Sequence, residues 1–267
     1  KQSRTNVVYA GSNDGFLHGF RSGSYSAANQ YNQTDNDGRE VLAYMPAAVL
    51  SRLYKANPSN LDFSHAQYAH NFYNDAAPAI GDVFYQGKWH TWLMSGLGAG
   101  GNTVYALDVT DPDSFSRAAA TNVQGEWSYN ANDSIWKNLG NSYGTPEFGR
   151  FHDGNWGAVF GNGWCSSQDA ANGNCTASSG PAGIYVMSIN QADGKPSFRF
   201  ISTDVGGTEA APNGIAYVTP VDIDGDVIYD YAYAGDLKGN VWRFDLTAKD
   251  STTWANTKPQ KIFTTQT

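Results

Sequence analysis

One unit of sequence recurs along the chain, and it constrains the fold more than any other feature. The unit is a strand, a short turn, a second strand that ends in glycine, a turn rich in Gly, Asn and Asp, and a strand of the type Val-Tyr-Ala-Leu-Asp. Asn-Gly and Asp-Gly pairs in such turns favour the positive-φ backbone of two-residue hairpins. Three copies and one fragment are present, at residues 78–109, 146–189 and 214–246 and at residues 7–20.

Antiparallel strands in repeated units are typical of a β-propeller, whose blades are four-stranded sheets. The composition suits short strands and tight turns, because 14% of the residues are aromatic and 29 are glycine. We therefore predict an all-β fold, a modified β-propeller of about four to five blades, with residues 1–267 as one domain. The final segment KIFTTQT has the pattern of a strand just begun, which predicts a partial or truncated propeller.

One helical pattern and two long polar segments interrupt the repeated units. Residues 45–56 have the apolar spacing of a short helix, and Pro58 ends it. Most of residues 21–77 and 111–143 is polar, and we expect irregular insertions there.

The strongest single signal is the segment DIDGDVIYD at residues 222–230, which carries four aspartates. Neighbouring carboxylates repel one another, so a compact loop of this kind needs a cation. Oxygen ligands at positions 1, 3, 5, 7 and 9 have the spacing of calcium-binding loops, in which position 7 supplies a main-chain carbonyl. Magnesium requires a stricter octahedron, and zinc prefers His and Cys. We therefore predict a Ca²⁺ site formed by Asp222, Asp224, Asp226, Ile228 and Asp230.

The loop differs from an EF-hand, although its ligand spacing is similar. Val227 stands at position 6, where the EF-hand has glycine, and Tyr233 stands at position 12, where it has glutamate. Strand patterns flank the loop, which replaces the first hairpin of its unit, and we expect Asp230 to be a bidentate ligand. Without metal the hairpin should loosen while the other blades persist, because each blade is expected to have its own sheet. The alternative is a solvated acidic turn.

The two cysteines, Cys165 and Cys175, lie ten residues apart in a polar segment rich in Gly, Ser and Asn. Exposed free thiols are disfavoured, and oxidising compartments form disulfides. We therefore predict a disulfide between them that closes a long loop. The alternative is two unrelated thiols.

Charge and motif content exclude several function classes. The net charge of −8 makes nucleic acid and anionic membrane surfaces poor partners, because both select basic proteins. No run of eighteen apolar residues is present, so no membrane-spanning helix is expected. GLGAGG at residues 96–101 matches the pattern GxGxxG, but a strand pattern follows it where a dinucleotide site needs a helix. No nucleophile motif surrounds a serine or a cysteine, so we expect no catalytic residues.

Four segments are distinctive in their residues and in their order along the chain. They are VYAGSNDGFLHGF, VLAYMPAAVLSRLY, HNFYNDAAPAIGDVFYQGKWHTWLMSGLGAGGNTVYALDVTDP and DIDGDVIYDYAYAGDLKGNVWRFDL. Together they resemble the C-terminal propeller of the type IV pilus biogenesis factors called the PilY or PilC family, from about residue 6 to residue 247. Two features depart from that family. The insertion with the two cysteines is particular to this sequence, and the Arg-Gly-Asp motif of some relatives is absent, so integrin binding is not expected.

The resemblance implies a modified β-propeller with a calcium site in one blade hairpin, at the loop 222–230. It also implies a secreted protein at the pilus tip or outer-membrane surface of a Gram-negative bacterium. Such a protein would support pilus biogenesis with minor pilins, oppose retraction in twitching motility and contribute to adhesion, for which a host-cell surface is a further partner.

Two other function classes share some of these features. Quinoprotein dehydrogenases are propellers with similar Val-Tyr-Ala-Leu-Asp strands, although their adjacent-cysteine signature is absent here. A general calcium-stabilised interaction scaffold would need only the aspartate loop. We predict a calcium-binding pilus-tip propeller that is not an enzyme; bound quinone absorbance and pulldown of minor pilins would discriminate the three.

Overall fold

A computed structural model describes residues 4–26, 28–53, 66, 70–115, 122–166 and 180–265. In these residues seventeen strands form four sheets that follow one another along the chain. The first sheet contains β1 (Thr5–Gly11), β2 (Leu17–Tyr25), β3 (Tyr31–Asn32) and β4 (Glu40–Tyr44), and β2 pairs with each of the other three. The second sheet is an antiparallel series of β5 (Ala79–Tyr85), β6 (Lys88–Gly96), β7 (Thr103–Asp108) and β8 (Val123–Ser128).

The third and fourth sheets have the same antiparallel order as the second, except that one short strand from the fourth unit joins the third sheet. The third contains β9 (Glu147–Phe151), β10 (Trp156–Gly161), β11 (Gly183–Ile189) and β12 (Pro196–Ser202). The fourth contains β13 (Ile215–Val221), β15 (Tyr231–Asp236), β16 (Asn240–Asp245) and β17 (Gln260–Thr264). Strand β14 (Ile228–Tyr229) lies between β13 and β15 in the chain, yet it pairs in parallel with β9 of the third sheet.

Side-chain alternation explains why these segments form strands. In β16 buried and half-buried side chains alternate, so that Trp242 and Phe244 face the core. The central strand β7 contains Val104, Tyr105 and Ala106 and is buried along most of its length. Such a strand is apolar on both sides, because both faces of its sheet are covered.

Three apolar cores lie between consecutive sheets. Leu17 of the first sheet packs with Leu93 and Tyr105 of the second. The next core joins the second and third sheets, and the last joins the third and fourth. Within the described ranges, none of these cores combines the fourth sheet with the first. Face-to-face packing of successive sheets is the arrangement of propeller blades, so the predicted all-β propeller fold is confirmed. The described residues form four sheets, where we predicted about four to five blades.

The helix and the insertions agree with the predictions in part. Helix α1 (Ala47–Leu53) lies within the predicted range of 45–56, whereas Pro58 lies outside the described residues. Strands β3 and β4 lie within the stretch 21–77, and β8 lies within 111–143, where we expected irregular structure. These short strands are half-exposed or exposed, and they pair with a strand already present, so their own pattern is weak.

The interpretation of KIFTTQT as the start of an unfinished blade is wrong. Its first residues belong to β17, which pairs antiparallel with β16 as the fourth strand of the fourth sheet. Every side chain of β17 is exposed, including Ile262 and Phe263. The sheet therefore has the same number of strands as the second sheet.

A buried aspartate organises the turn between β15 and β16. Asp236 Oδ1 accepts hydrogen bonds from the amides of Lys238 (3.0 Å) and Asn240 (2.9 Å). Its Oδ2 accepts from Trp242 Nε1 at 2.9 Å and from Asn240 Nδ2 at 2.9 Å. Burial alone would raise the pKa of Asp236, but these hydrogen bonds outweigh it and lower the pKa. One carboxylate thus holds both sides of the hairpin.

The predicted disulfide lies partly outside the described residues. Cys165 is fully buried, and no cysteine in the described part of the chain is free. Cys175 lies outside the described residues, so the pairing with Cys165 stays a prediction.

We expect thiol titration of the exported, denatured and unreduced protein to detect no free sulfhydryl. The physical reason is that the segment between the two cysteines is polar and glycine-rich, so a covalent bond is needed to hold it. A sample reduced before titration is the control and should release two thiols. Two free thiols in the unreduced sample would contradict the prediction.

Candidate metal centre

The aspartate loop, residues 222–230, connects β13 to β15 and is therefore the first hairpin connection of the fourth sheet. The equivalent connections of the second and third sheets are short turns at residues 86–87 and 152–155. The loop thus replaces a plain turn with a longer acidic segment at the same end of the blade.

Three aspartate side chains of the loop converge. One carboxylate oxygen from each of Asp222, Asp224 and Asp226 lies within 4.8 Å of the others. Asp222 is half-buried, and the other two are exposed. Across the described ranges, no other three acidic, His or Cys side chains come together in this way. The structure therefore brings three of the four predicted carboxylate ligands to one point.

Backbone amides hold these carboxylates in place. Asp222 Oδ1 accepts from the amide of Gly225 and Asp222 Oδ2 from the amide of Val227, each at 2.7 Å. Asp226 Oδ1 accepts from the amide of Ile228 at 2.9 Å. A carboxylate offers about four lone-pair positions, so these oxygens keep capacity for a cation. The donors are all oxygen, which fits calcium better than zinc.

Asp230 has a different environment from the three converging aspartates. It is buried, its Oδ2 accepts from the amide of Ile223 at 2.8 Å, and its Oδ1 lies 2.8 Å from His152 Nε2. The hydrogen bond from Ile223, followed by the contact with His152, lowers the pKa of Asp230. The carboxylate is therefore ionised and held towards the third sheet. Its role as a bidentate ligand stays a prediction, as does that of the Ile228 carbonyl.

Val227 adopts the backbone conformation for which the EF-hand uses glycine at the same position. Its φ is 68°, in the left-handed region that β-branched residues rarely adopt. The side chain is 73% exposed, so no packing compensates for this conformation. The hydrogen bond from its amide to Asp222 is what holds it there. The loop therefore contains backbone strain of about 1–3 kcal/mol at one residue.

Replacement of Val227 by glycine is expected to raise the free energy of unfolding by about 1 kcal/mol, because strain is released and only an exposed side chain is lost. Urea denaturation without calcium measures this. The matched control is Ile223→Gly, an exposed residue of the same loop without positive φ, which should be neutral or destabilising. Equal changes in the free energy of unfolding for the two substitutions would contradict the claim that Val227 is strained.

The sequence did not indicate that the loop is joined to the neighbouring blade. Strand β14 pairs Ile228 with Arg150 and Tyr229 with Phe151, both in β9. The premise that each blade has its own sheet is therefore wrong for this hairpin. His152, in the turn after β9, contacts Asp230 of the loop. The one available signal was that the turn HDGNW and the aspartate loop are equivalent hairpins of successive units.

GLGAGG forms a turn, as expected, and not a nucleotide-binding loop. It runs from the end of β6 through one short 3₁₀ segment, Gly98–Gly100, directly into β7. Gly98 and Gly101 have positive φ, which explains the glycines. No helix follows that could bind a phosphate at its N-terminus.

Comparisons with known proteins agree on one family. Residues 1–264 match the family described as the PilY1 beta-propeller domain. A type IV pilus biogenesis factor PilY1 of Pseudomonas aeruginosa is 35% identical over 248 residues, which are 93% of this chain and 18% of the relative. A PilY1 homolog of Xylella fastidiosa is 32% identical over 254 residues, 92% of this chain and 14% of the relative.

A solved structure is similar over nearly the whole chain. The crystal structure of the Pseudomonas aeruginosa PilY1 C-terminal domain matches with a TM-score of 0.64 and 31% identity, over 95% of this chain and 43% of that one. The chain therefore spans less than a fifth of the curated relatives' length. Among the described residues, no helix is long and apolar enough to cross a membrane.

Proposed function

The chain belongs to the PilY1 β-propeller family, and on that basis we propose that its aspartate loop binds Ca²⁺ and that the calcium-bound propeller supports type IV pilus biogenesis. The relatives described above are pilus biogenesis factors, so association with the pilus machinery follows from the family. Calcium binding, the balance of extension and retraction, and adhesion are the finer parts of the proposal.

The convergence of the three carboxylates carries the calcium proposal. Asp222, Asp224 and Asp226 place oxygens within 4.8 Å of one another in a loop whose backbone already has the EF-hand's positive φ at position 6. The carboxylates of these residues and of Asp230, with the Ile228 carbonyl, would hold the ion. A bound calcium ion neutralises charges that otherwise repel one another across a few ångströms.

The chain's own residues would do two things in this site. Amides of Gly225, Val227 and Ile228 orient carboxylate oxygens, so that part of the loop's order exists before the ion arrives. The exposed position of Asp224 and Asp226 gives the ion access from solvent. Pre-ordered ligands lower the entropy cost of binding.

A binding role is favoured over catalysis. The relatives reported above are described as pilus biogenesis factors, and the chain has no nucleophile motif. We propose that the protein acts outside the cell at the pilus tip or outer-membrane surface, in contact with minor pilins and a host-cell surface. In that location calcium is plentiful, and extracellular sites have dissociation constants of roughly 10⁻⁴ to 10⁻³ M.

The test combines calorimetry with a motility assay of the complete protein in its own bacterium. Calcium should bind with a Kd at or below about 10⁻³ M, and magnesium should bind more weakly. The double variant Asp224→Asn and Asp226→Asn should lose calcium binding and alter twitching. The control Asp111→Asn, at an exposed aspartate in the segment that follows β7, should change neither.

Two outcomes would contradict different parts of the proposal. If the unmodified protein binds no calcium, the metal site is rejected. If the double variant loses calcium but assembles and retracts pili as the unmodified protein does, calcium has a structural role only, and the motility part is rejected.

A further inference from the structure

The half of the aspartate loop that follows Val227 is built into the neighbouring blade. Strand β14 contains Ile228 and Tyr229 and pairs in parallel with β9, whereas the rest of the hairpin belongs to the fourth sheet. Parallel pairing of two residues contributes little by itself, so side chains must supply most of the attachment. The side chain at this junction is Tyr229.

Tyr229 makes three separate contacts with β9. Its hydroxyl donates a hydrogen bond to the carbonyl of Phe148 at 2.9 Å. Its ring lies edge-on to the ring of Phe151, with centroids 5.9 Å apart. Its ring also covers Gly149 so closely that a Cβ there would lie 2.1 Å from Cε2 of the tyrosine. Gly149 is therefore the residue that allows the ring to approach the strand.

The residues on either side of Tyr229 are both proposed calcium ligands. Ile228 would supply its carbonyl, and its amide already binds Asp226. Asp230 is fixed by the amide of Ile223 and by His152, which follows β9 directly. A shift of Tyr229 would therefore displace the second half of the ligand set relative to Asp222 and Asp224.

We propose that Tyr229 and Gly149 are positioning residues of the calcium site, so that the third sheet helps to set the affinity of a loop in the fourth. This inference rests on the proposed calcium binding. Neither residue is a ligand; they act by holding Ile228 and Asp230 in place. Because linkage is reciprocal, calcium must in turn strengthen the contact between β14 and β9.

Two substitutions test the proposal by calcium calorimetry of the folded chain. Tyr229→Phe removes only the hydroxyl and should weaken calcium binding by about fivefold to tenfold, the effect of one lost hydrogen bond. Gly149→Ala places a methyl group against the ring and should weaken binding by at least about tenfold. Thermal unfolding without calcium verifies that each variant is folded.

Matched controls separate positioning from general damage. Tyr231→Phe alters a tyrosine two residues further on, whose ring faces Arg243 in its own sheet, and should leave the affinity unchanged. Gly235→Ala alters a strand glycine whose Cβ would meet only the Asn240 carbonyl oxygen, at 4.0 Å, and should also be neutral. In a Tyr229→Ala background, Gly149→Ala should cause no further loss, because the ring it displaces is gone.

Hydrogen exchange gives a readout that a passive structural role would not move. In the unmodified protein, calcium should slow amide exchange both in the loop and in β9. In Tyr229→Ala, calcium should slow exchange in the loop only. The proposal is overturned if Tyr229→Phe and Gly149→Ala bind calcium as tightly as the unmodified protein, or if calcium leaves β9 exchange unchanged. Absence of calcium binding in the unmodified protein would reject the proposed function as well, so the two failures are distinct.

Discussion

Replacement of Asp222 by alanine is expected to abolish calcium binding and to remove all thermal stabilisation by calcium. Asp222 is one of the three converging carboxylates, and both of its oxygens also order the loop through the amides of Gly225 and Val227. The substitution therefore removes a ligand and the support of the other ligands together. Asp224 and Asp226 each accept from one loop amide, whereas Asp222 accepts from two.

The size of the effect follows from binding linkage. A ligand at about 100 times its Kd stabilises the folded state by about 2.7 kcal/mol. For a chain of this length, this raises the melting temperature of the unmodified protein by about 5 °C or more. Calorimetric scans with calcium and with a chelator should show this shift in the unmodified protein and none in Asp222→Ala.

The control is Asp111→Ala, which removes an exposed carboxylate that accepts a hydrogen bond from the nearby amide of Asp113. Calcium should stabilise this variant as it stabilises the unmodified protein. Retention of the calcium-dependent shift in Asp222→Ala would contradict the assignment of the loop as the metal centre.

Replacement of Asp236 by alanine should lower the free energy of unfolding by roughly 4 kcal/mol, because several buried donors lose their partner at once. Trp242 Nε1 and the amide and side chain of Asn240 all donate to this carboxylate. An unsatisfied buried donor costs about 1–3 kcal/mol. Guanidinium denaturation, with calcium held constant, measures the loss.

The matched control for this substitution is Asp245→Ala in the same sheet. Asp245 also accepts from a nearby amide and hydroxyl, both of Thr247, but these contacts are exposed. Water replaces exposed partners, so the loss should be below about 1 kcal/mol. Similar losses for the two variants would contradict a special role of the β15–β16 turn.

The lowered pKa of Asp236 gives the same residue a predictable pH dependence. Its folded pKa lies below the unfolded value, so its contribution is fully present above the unfolded pKa and is lost as the pH falls through the folded pKa. The unmodified protein should therefore lose more stability below about pH 4 than Asp236→Asn does. Denaturation at a series of pH values compares the slopes, and parallel curves would contradict the prediction.

Local chemistry in the sequence determined the all-β class, the three copies and one fragment of the repeated unit, and the position of the acidic loop. Hairpin turns and two-residue alternation are set by neighbouring residues, and the spacing of Asp222, Asp224 and Asp226 already places their oxygens on one side of a tight loop. Helix α1 followed from its own apolar spacing for the same reason. Each of these features needs only a few consecutive residues.

Only the tertiary structure decided how the loop is anchored. Three contacts join residues about 80 positions apart in the chain. They are the parallel pairing of β14 with β9, the contact of Asp230 with His152 and the packing of the Tyr229 ring on Gly149. The outer strands β8 and β17 were also unclear from their sequence, because their exposed or half-exposed side chains carry little apolar pattern and the partner strand completes their hydrogen bonds. Contacts of this kind depend on which blade faces which, and local periodicity contains no information about that.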